Sequence, residues 1–428
     1  VKRRGSSGFA AGGKGLRSFL KSLSACAFLC CCALFGIIGY AEMTIPDEYN
    51  IMAGDALPIP MPYTVVYNDM SADGVCVSLD ETASGKTEYA AQVRVLNAIP
   101  VKELKVTAKK RAYVMPVGTA FGIKLYTQGV VVVKTDEVAM LSGVINPAAD
   151  AGIRPGDIIT AIDGRTVESN GDVSGAFADS GGRELTLSIT RGSEEISVKL
   201  KAALSAIDGK YRVGIWVRDS SAGIGTLTFF DKSTGNFAGL GHAVCDVDTG
   251  KIMPLSGGEA VSAVIKGSYK GESGTPGELC GVFGDKVIGT LTLNSETGVY
   301  GKVTGVTYTG KQIPVAMSYE IRTGPAQIIS EINDQGARYY DVEITKVFQN
   351  TDAHQKNMVI RVVDETLINE TGGIVQGMSG SPIIQNGMLA GAVTHVFINN
   401  PLQGYAIFAQ TMVETESAIE GSGIQKAS

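Results

Sequence analysis

The chain has 428 residues, 44% hydrophobic and 19% charged, which is enough apolar material for two or three folded domains and excludes disorder over most of its length. A formal net charge of −6 argues against nucleic acid as a partner, because neutralising phosphates takes a basic surface. Three histidines leave little room for a His-rich metal site, and 54 glycines without a collagen-like period point to many tight turns between short strands.

Residues 1–22 form a basic segment, with Lys2, Arg3, Arg4, Lys14, Arg17 and Lys21 and no acid. An uncharged apolar run follows over residues 23–41, and about nineteen such residues span a ~30 Å hydrocarbon core as a helix. The basic flank is expected in the cytoplasm and the remainder on the far side. The length of the run favours a retained anchor, while the small residues Gly39 and Ala41 leave a cleaved signal as the alternative. Cys26, Cys30, Cys31 and Cys32 lie in this run. The scattered Cys76, Cys245 and Cys280 form no disulfide framework and read as small buried hydrophobes.

Residues 42–111 read as a tether followed by a small β segment. The tether, 42–62, is rich in Pro, Met and acids; alternation from Tyr63 to Arg111 predicts a strand meander. Residues 112–204 carry a denser pattern. Pro147 to Ile159 (PAADAGIRPGDII) predicts a short helix and a tight turn into a strand, and Asp163-Gly164 a hairpin turn. This run resembles a PDZ domain of the bacterial type. By that resemblance Ala120, Phe121, Gly122 and Ile123 form the loop and groove wall whose backbone N–H groups receive a peptide by strand addition.

Residues 205–428 are Gly-rich short strands without long helical periodicity, as expected of a barrel or sandwich. Gly377-Met378-Ser379-Gly380-Ser381-Pro382 precedes a strand. A serine between glycines suits an acyl-transfer nucleophile: small neighbours admit the scissile carbonyl, and the N–H groups of Gly377 and Ser379 can form the oxyanion hole. The G-x-S-x-G elbow of α/β-hydrolases is excluded, because Ser381 stands where the second glycine belongs. A base is offered by His242 in Phe237-Ala238-Gly239-Leu240-Gly241-His242, well before the serine, in the chain order of chymotrypsin-like peptidases.

The apolar N-terminal run, a PDZ domain ahead of the peptidase, GLGHAV and GMSGSP together resemble the stage IV sporulation protein B serine peptidases of endospore-forming bacteria, as do Gly274 to Leu279 (GTPGEL) and Thr394 to Phe397 (THVF). The resemblance implies a mainly β protein: N-terminal transmembrane helix, PDZ domain and chymotrypsin-like β-barrel peptidase with the triad His242, Asp364 and Ser379. No cofactor is expected, and no metal, because ligand partners are so few. The resemblance further implies a regulatory endopeptidase secreted into the space between forespore and mother-cell membranes. The enzyme would cleave itself, with the cut expected within residues 42–62. Its partner would be a membrane-bound regulatory complex that restrains the intramembrane protease activating a sigma factor. The PDZ ligand would be the enzyme's own N-terminal region or a partner's tail. Asp364 lies unusually close to Ser379 for the acid of a double-barrel peptidase, and Asp246, Asp285 and Asp341 compete for its role. His395 is expected to line the cleft or the core, and His354 to be solvated. Two other readings are a quality-control peptidase of the HtrA type and a non-catalytic PDZ scaffold. The first is disfavoured because its PDZ domain follows the peptidase, the second because all three triad candidates are present.

Overall fold

The first element is a 33-residue helix, α1 (Gly12–Thr44), in the computed structural model, which describes residues 12–52, 55–67, 88–349 and 356–421. The chain divides into two units, residues 1–111 and 112–428. Within α1 the stretch Lys21–Thr44 is long and apolar enough to cross a membrane, and it contains the predicted span. The predicted tether is partly regular structure: α1 runs through Thr44, and β1 (Glu48–Met52) follows at once. With β2 (Tyr63–Tyr67), β3 (Glu88–Val95) and β4 (Ile99–Lys109) it forms a sheet in the order β1-β4-β3-β2. Alternation places Leu104, Val106 and Ala108 on the buried face, as a one-sided sheet requires.

Residues 112–428 begin with β5 (Tyr113–Pro116) and the long strand β6 (Ala120–Thr135). The hairpin of β7 (Val138–Met140) and β8 (Gly143–Ile145) leads to α2 (Pro147–Asp150), which has Asn146 as N-cap and proline in its first turn. Next come β9 (Ile158–Ile162), β10 (Arg165–Thr166) and α3 (Asn170–Asp179), the last started by a capping box of Ser169 and Asp172. Then follow β11 (Glu184–Arg191), β12 (Glu194–Lys201), β13 (Ala203–Leu204) and β14 (Tyr211–Arg212). The PGD turn is explained by Asp157. Its buried carboxylate accepts the Arg154 N–H at 2.9 Å and pairs with Arg191 Nε and Nη2 at 2.8 and 2.7 Å. A buried charge needs such partners.

The remaining strands are β15 (Ile215–Phe230), β16 (Asn236–Gly239), β17 (Leu255–Tyr269), β18 (Glu278–Ser295), β19 (Gly298–Val303) and β20 (Ile313–Pro314). After them come β21 (Gly324–Ser330), β22 (Arg338–Val347), β23 (Met358–Val362), α4 (Glu365–Thr371), β24 (Pro382–Gln385), β25 (Met388–Phe397), β26 (Asn400–Phe408) and α5 (Ala409–Gly421). Two rings of strands result. One runs β6-β17-β18-β19-β16-β15 and closes through the β6–β15 pairing. The other is the closed barrel β21-β22-β23-β26-β25-β24. Phe121, Leu125, Leu227 and Phe237 fill the first; Ile328, Val342, Ile360 and Val393 fill the second. Phe229, Ala392, Ile407 and Met412 belong to a further buried cluster with residues from both.

The boundary expected at 204/205 does not separate two sheets. The first half of β6 is a stave of the first barrel, and its second half pairs with β9 inside the PDZ fold. β15 reciprocates, starting against the PDZ end of β6 and finishing in the barrel.

Candidate active site

Ser379 sits on the turn between α4 and β24. Gly377 (φ +94°) and Gly380 (φ +97°) flank it in the region that L side chains avoid. A Cβ on Gly380 would stand 2.5 Å from Leu240 N and closer still to Thr226 O, so this turn packs directly on β15 and on the segment leading to His242. Within the turn, the N–H groups of Met378, Gly380 and Ser381 are spent on Val375 O, Val393 O and Met378 O. Those of Gly377 and Ser379 have no hydrogen-bond partner among the described residues. They are the two donors expected of an oxyanion hole. The Ser379 hydroxyl donates to Thr394 O at 2.8 Å.

His242 follows Leu240 (φ +65°) and Gly241 (φ +68°). A bulky residue at positive φ costs on the order of 1–3 kcal/mol, and such strain gathers at functional sites. Here Leu240 N is fixed by Thr226 O at 3.2 Å. His242 Nδ1 lies 2.8 Å from Ala243 O; an Nδ1–H donating to that carbonyl leaves Nε2 as the basic nitrogen. The His242 ring packs against that of His395, centroids 4.9 Å apart and tilted by 39°. Burial holds the His242 pKa below its ordinary 6.5, opposed by the Ala243 hydrogen bond. His395 is drawn down to about 4, first by desolvation and then by His242 and Lys356. His395 thus lines the site, one residue past the carbonyl that accepts the Ser379 hydroxyl hydrogen bond.

Asp364 is placed elsewhere. It is the N-cap of α4, accepting the Leu367 N–H on Oδ1 at 3.0 Å and the Asp341 N–H on Oδ2 at 3.2 Å. Asp246 is buried against Arg218 at 2.7 Å. Asp341 accepts from Gln327, and Asp285 is exposed. Among the described residues no carboxylate is hydrogen-bonded to His242; the carbonyl of Ala243 takes that position.

The PDZ loop expected at Ala120 to Ile123 requires correction. This segment is not an open edge but the middle of a barrel. On one side Ala120, Phe121, Gly122 and Ile123 pair with Thr226, Gly225, Ile224 and Gly223 of β15. On the other, Phe121, Gly122 and Ile123 pair with Ser262, Val261 and Ala260 of β17. Phe121 and Ile123 are buried, and a Cβ on Gly122 would meet Val261 and Phe283 at 2.6 and 2.7 Å. Ala120 N donates to Glu331 Oε2 at 2.9 Å. A backbone paired on both sides has nothing left to offer a ligand. A cavity of about 670 Å³ lies instead beside α3, lined by Val173, Ser174 and Phe177 and by Ile215, Trp216 and Val217 of β15. Among the described residues β15 pairs with β6 alone over Ile215–Arg218, and the other edge there can take a strand.

Two further expectations change. Cys245 is exposed and Cys280 half-buried, where small buried hydrophobes were expected. Cys76 and His354 lie outside the described residues. Thr226 and Thr228 touch the nucleophile turn without having been singled out from the sequence. The available signal was a pair of threonines, two residues apart, in the otherwise apolar strand end Thr226–Phe230.

Residues 209–413 match the family model of the SpoIVB peptidase S55, and residues 118–202 that of the PDZ domain. A protein of Lactococcus lactis subsp. lactis that bears the name of a zinc metalloprotease is 34% identical over 126 residues, which make up 29% of this chain and 27% of that protein. The chain thus spans about a quarter of the length of that relative. Two solved structures are similar at 14% identity and a TM-score of 0.30, each over 48% of this chain. They are the active form of the Rv3671c protease from M. tuberculosis, with 76% of its chain covered, and the HtrA-type protease AlgW with a decapeptide, with 55% covered.

Proposed function

We propose, from the match of residues 209–413 to the SpoIVB peptidase S55 family model and of residues 118–202 to the PDZ domain ahead of it, that the chain is a membrane-associated regulatory serine endopeptidase that acts through Ser379 and His242. The observation that carries this reading is the nucleophile turn, in which, among the described residues, nothing takes the N–H groups of Gly377 and Ser379 on either side of Met378 while their neighbours are all bonded. His242 Nε2 takes the proton as Ser379 Oγ bonds to the scissile carbonyl carbon. The two free N–H groups receive the negative charge that develops on the carbonyl oxygen. The C–N bond then breaks, with His242 returning the proton to the departing amine, and water releases the acyl group by the same steps in reverse.

The part of an acid in this cycle is to hold the histidine tautomer and face the imidazolium. We assign the first task to the Ala243 carbonyl. Asp364 is assigned a positioning part: it caps α4, whose C-terminal end leads through Gly372 and Gly373 to the nucleophile turn. The PDZ ligand, the enzyme's own N-terminal region or a partner's tail, is assigned to the groove between α3 and β15. The substrates assigned to it are the enzyme itself, cut within the Pro-rich stretch 42–62 that follows the apolar helix, and, on the family resemblance, a membrane-bound regulatory complex of the sporulation checkpoint reached from the space between forespore and mother-cell membranes.

Production of the full chain and of Ser379→Ala side by side tests the reading. Fluorophosphonate labelling and N-terminal fragments are expected from the first and neither from the second. Equal trimming of both would assign the cuts to another protease, and an unlabelled wild type would leave a PDZ scaffold.

A further inference from the structure

β15 reaches both the groove beside α3 and the nucleophile. At one end Ile215–Val217 lines the cavity. At the other, Thr226 and Thr228 are wholly buried, and both side chains reach the nucleophile turn. Their hydroxyls donate to Gly377 O and Gly380 O, both at 2.8 Å, which brackets Ser379. The Thr226 N–H adds a bond to Ser379 O at 2.9 Å, and Thr226 O holds Leu240, two residues before His242. Valine would fit a buried strand position equally well in shape. A hydroxyl is tolerated there because it satisfies loop carbonyls that would otherwise be buried without a partner.

We propose that Thr226 and Thr228 are positioning residues for the nucleophile, and that β15 couples them to the groove, so that an extended peptide paired with Ile215–Val217 alters the rate at which Ser379 reacts. This rests on Ser379 being the nucleophile. Pairing on the open edge adds main-chain hydrogen bonds to one end of the strand. The register irregularities between Trp216 and Val217 and between Arg218 and Ser220 are where its backbone departs from regular pairing and can shift. A displacement of about 1 Å at a reacting group can cost about 100-fold in rate, so a small movement of Thr226 is enough to be read at Ser379.

The test uses the full chain and a fluorophosphonate probe, with a short peptide substrate for steady-state kinetics. Thr226→Val and Thr228→Val are expected to lower kcat about tenfold or more with KM nearly unchanged, and Thr226→Ser, which keeps the hydroxyl, to restore most of it. Ser174→Trp places a bulky side chain in the groove from the exposed face of α3. It is expected to change the Ser379 labelling rate about threefold or more, and that change should vanish in the Thr226→Val background. Distant, independent sites give additive effects, so additivity in this cycle would overturn the coupling. A kcat unchanged in both valine variants would overturn the positioning role. If Thr226→Val fails to fold, Thr226→Cys, with its weaker donor, takes its place in both measurements. Loss of labelling in Ser379→Ala is a separate result, so failure of the coupling is distinguishable from failure of the nucleophile assignment.

Discussion

The nucleophile turn and the segment Ala120–Ile123 look alike in sequence: each sets a glycine among small or apolar residues, and each was expected to offer backbone N–H groups to a ligand. Their surroundings differ. In the turn the chain reverses, and among the described residues nothing takes the N–H groups of Gly377 and Ser379. In Ala120–Ile123 the chain is straight: β15 and β17 pair with Phe121, Gly122 and Ile123 from both sides, and the Ala120 N–H is taken by Glu331. A backbone becomes a binding surface through what its neighbours leave unpaired, and glycine only makes the close approach possible.

The largest effect expected from this difference is at Ser379. Ser379→Ala should lose at least about a thousandfold in peptide cleavage, because nucleophile, base and oxyanion hole act as a unit. More than a trace of remaining turnover in a purified preparation would move the chemistry away from the turn.

Substitution at Gly122 probes the other side. Gly122→Trp is expected to prevent folding of the first barrel, and Gly122→Ala to cost roughly 1–3 kcal/mol by overpacking against Val261 and Phe283. Thermal unfolding measures both. A tryptophan variant that melts like the wild type would restore Ala120–Ile123 as a groove wall.

Asp364 separates contact with the reacting atoms from support of the turn. Asp364→Ala should cost about 1 kcal/mol of stability through loss of the α4 cap, whereas Asp364→Asn, itself a good cap, should keep stability and turnover within about tenfold of wild type. Cleavage as low in the asparagine variant as in Ser379→Ala would make the carboxylate itself the acid of the triad.

The smallest effect expected is on the pH profile. His242 must be neutral to accept the Ser379 proton, and burial lowers its pKa below 6.5. The acid limb of kcat/KM should therefore fall below pH 6.5, with a plateau through neutrality. The sign for stability is the same. Below 6.5 the unfolded chain binds the proton more readily than the folded one, so this histidine lowers stability as pH falls through that range and has no effect well above it. An acid limb above 6.5 would place a different group, or a charged partner of His242, in control.

Local chemistry was legible in the sequence. The apolar run from Leu23 forms a helix because its composition permits little else, and the PGD turn and the glycines around Ser379 are each decided within a few residues. What the sequence did not disclose depends on partners distant along the chain. Gly122 is paired with Ile224 and Val261 on the two neighbouring strands, and this pairing buries the predicted loop. Asp364 is within reach of Asp341 and Leu367, so its carboxylate is taken up by backbone N–H groups before His242 can use it. Which residues have reactive chemistry could thus be read along the chain, since that belongs to side chains and to local turns. Which backbone groups remain unpaired, and which side chains meet, was settled by the packing of distant strands, because a hydrogen-bonding group given to one neighbour is withdrawn from every other.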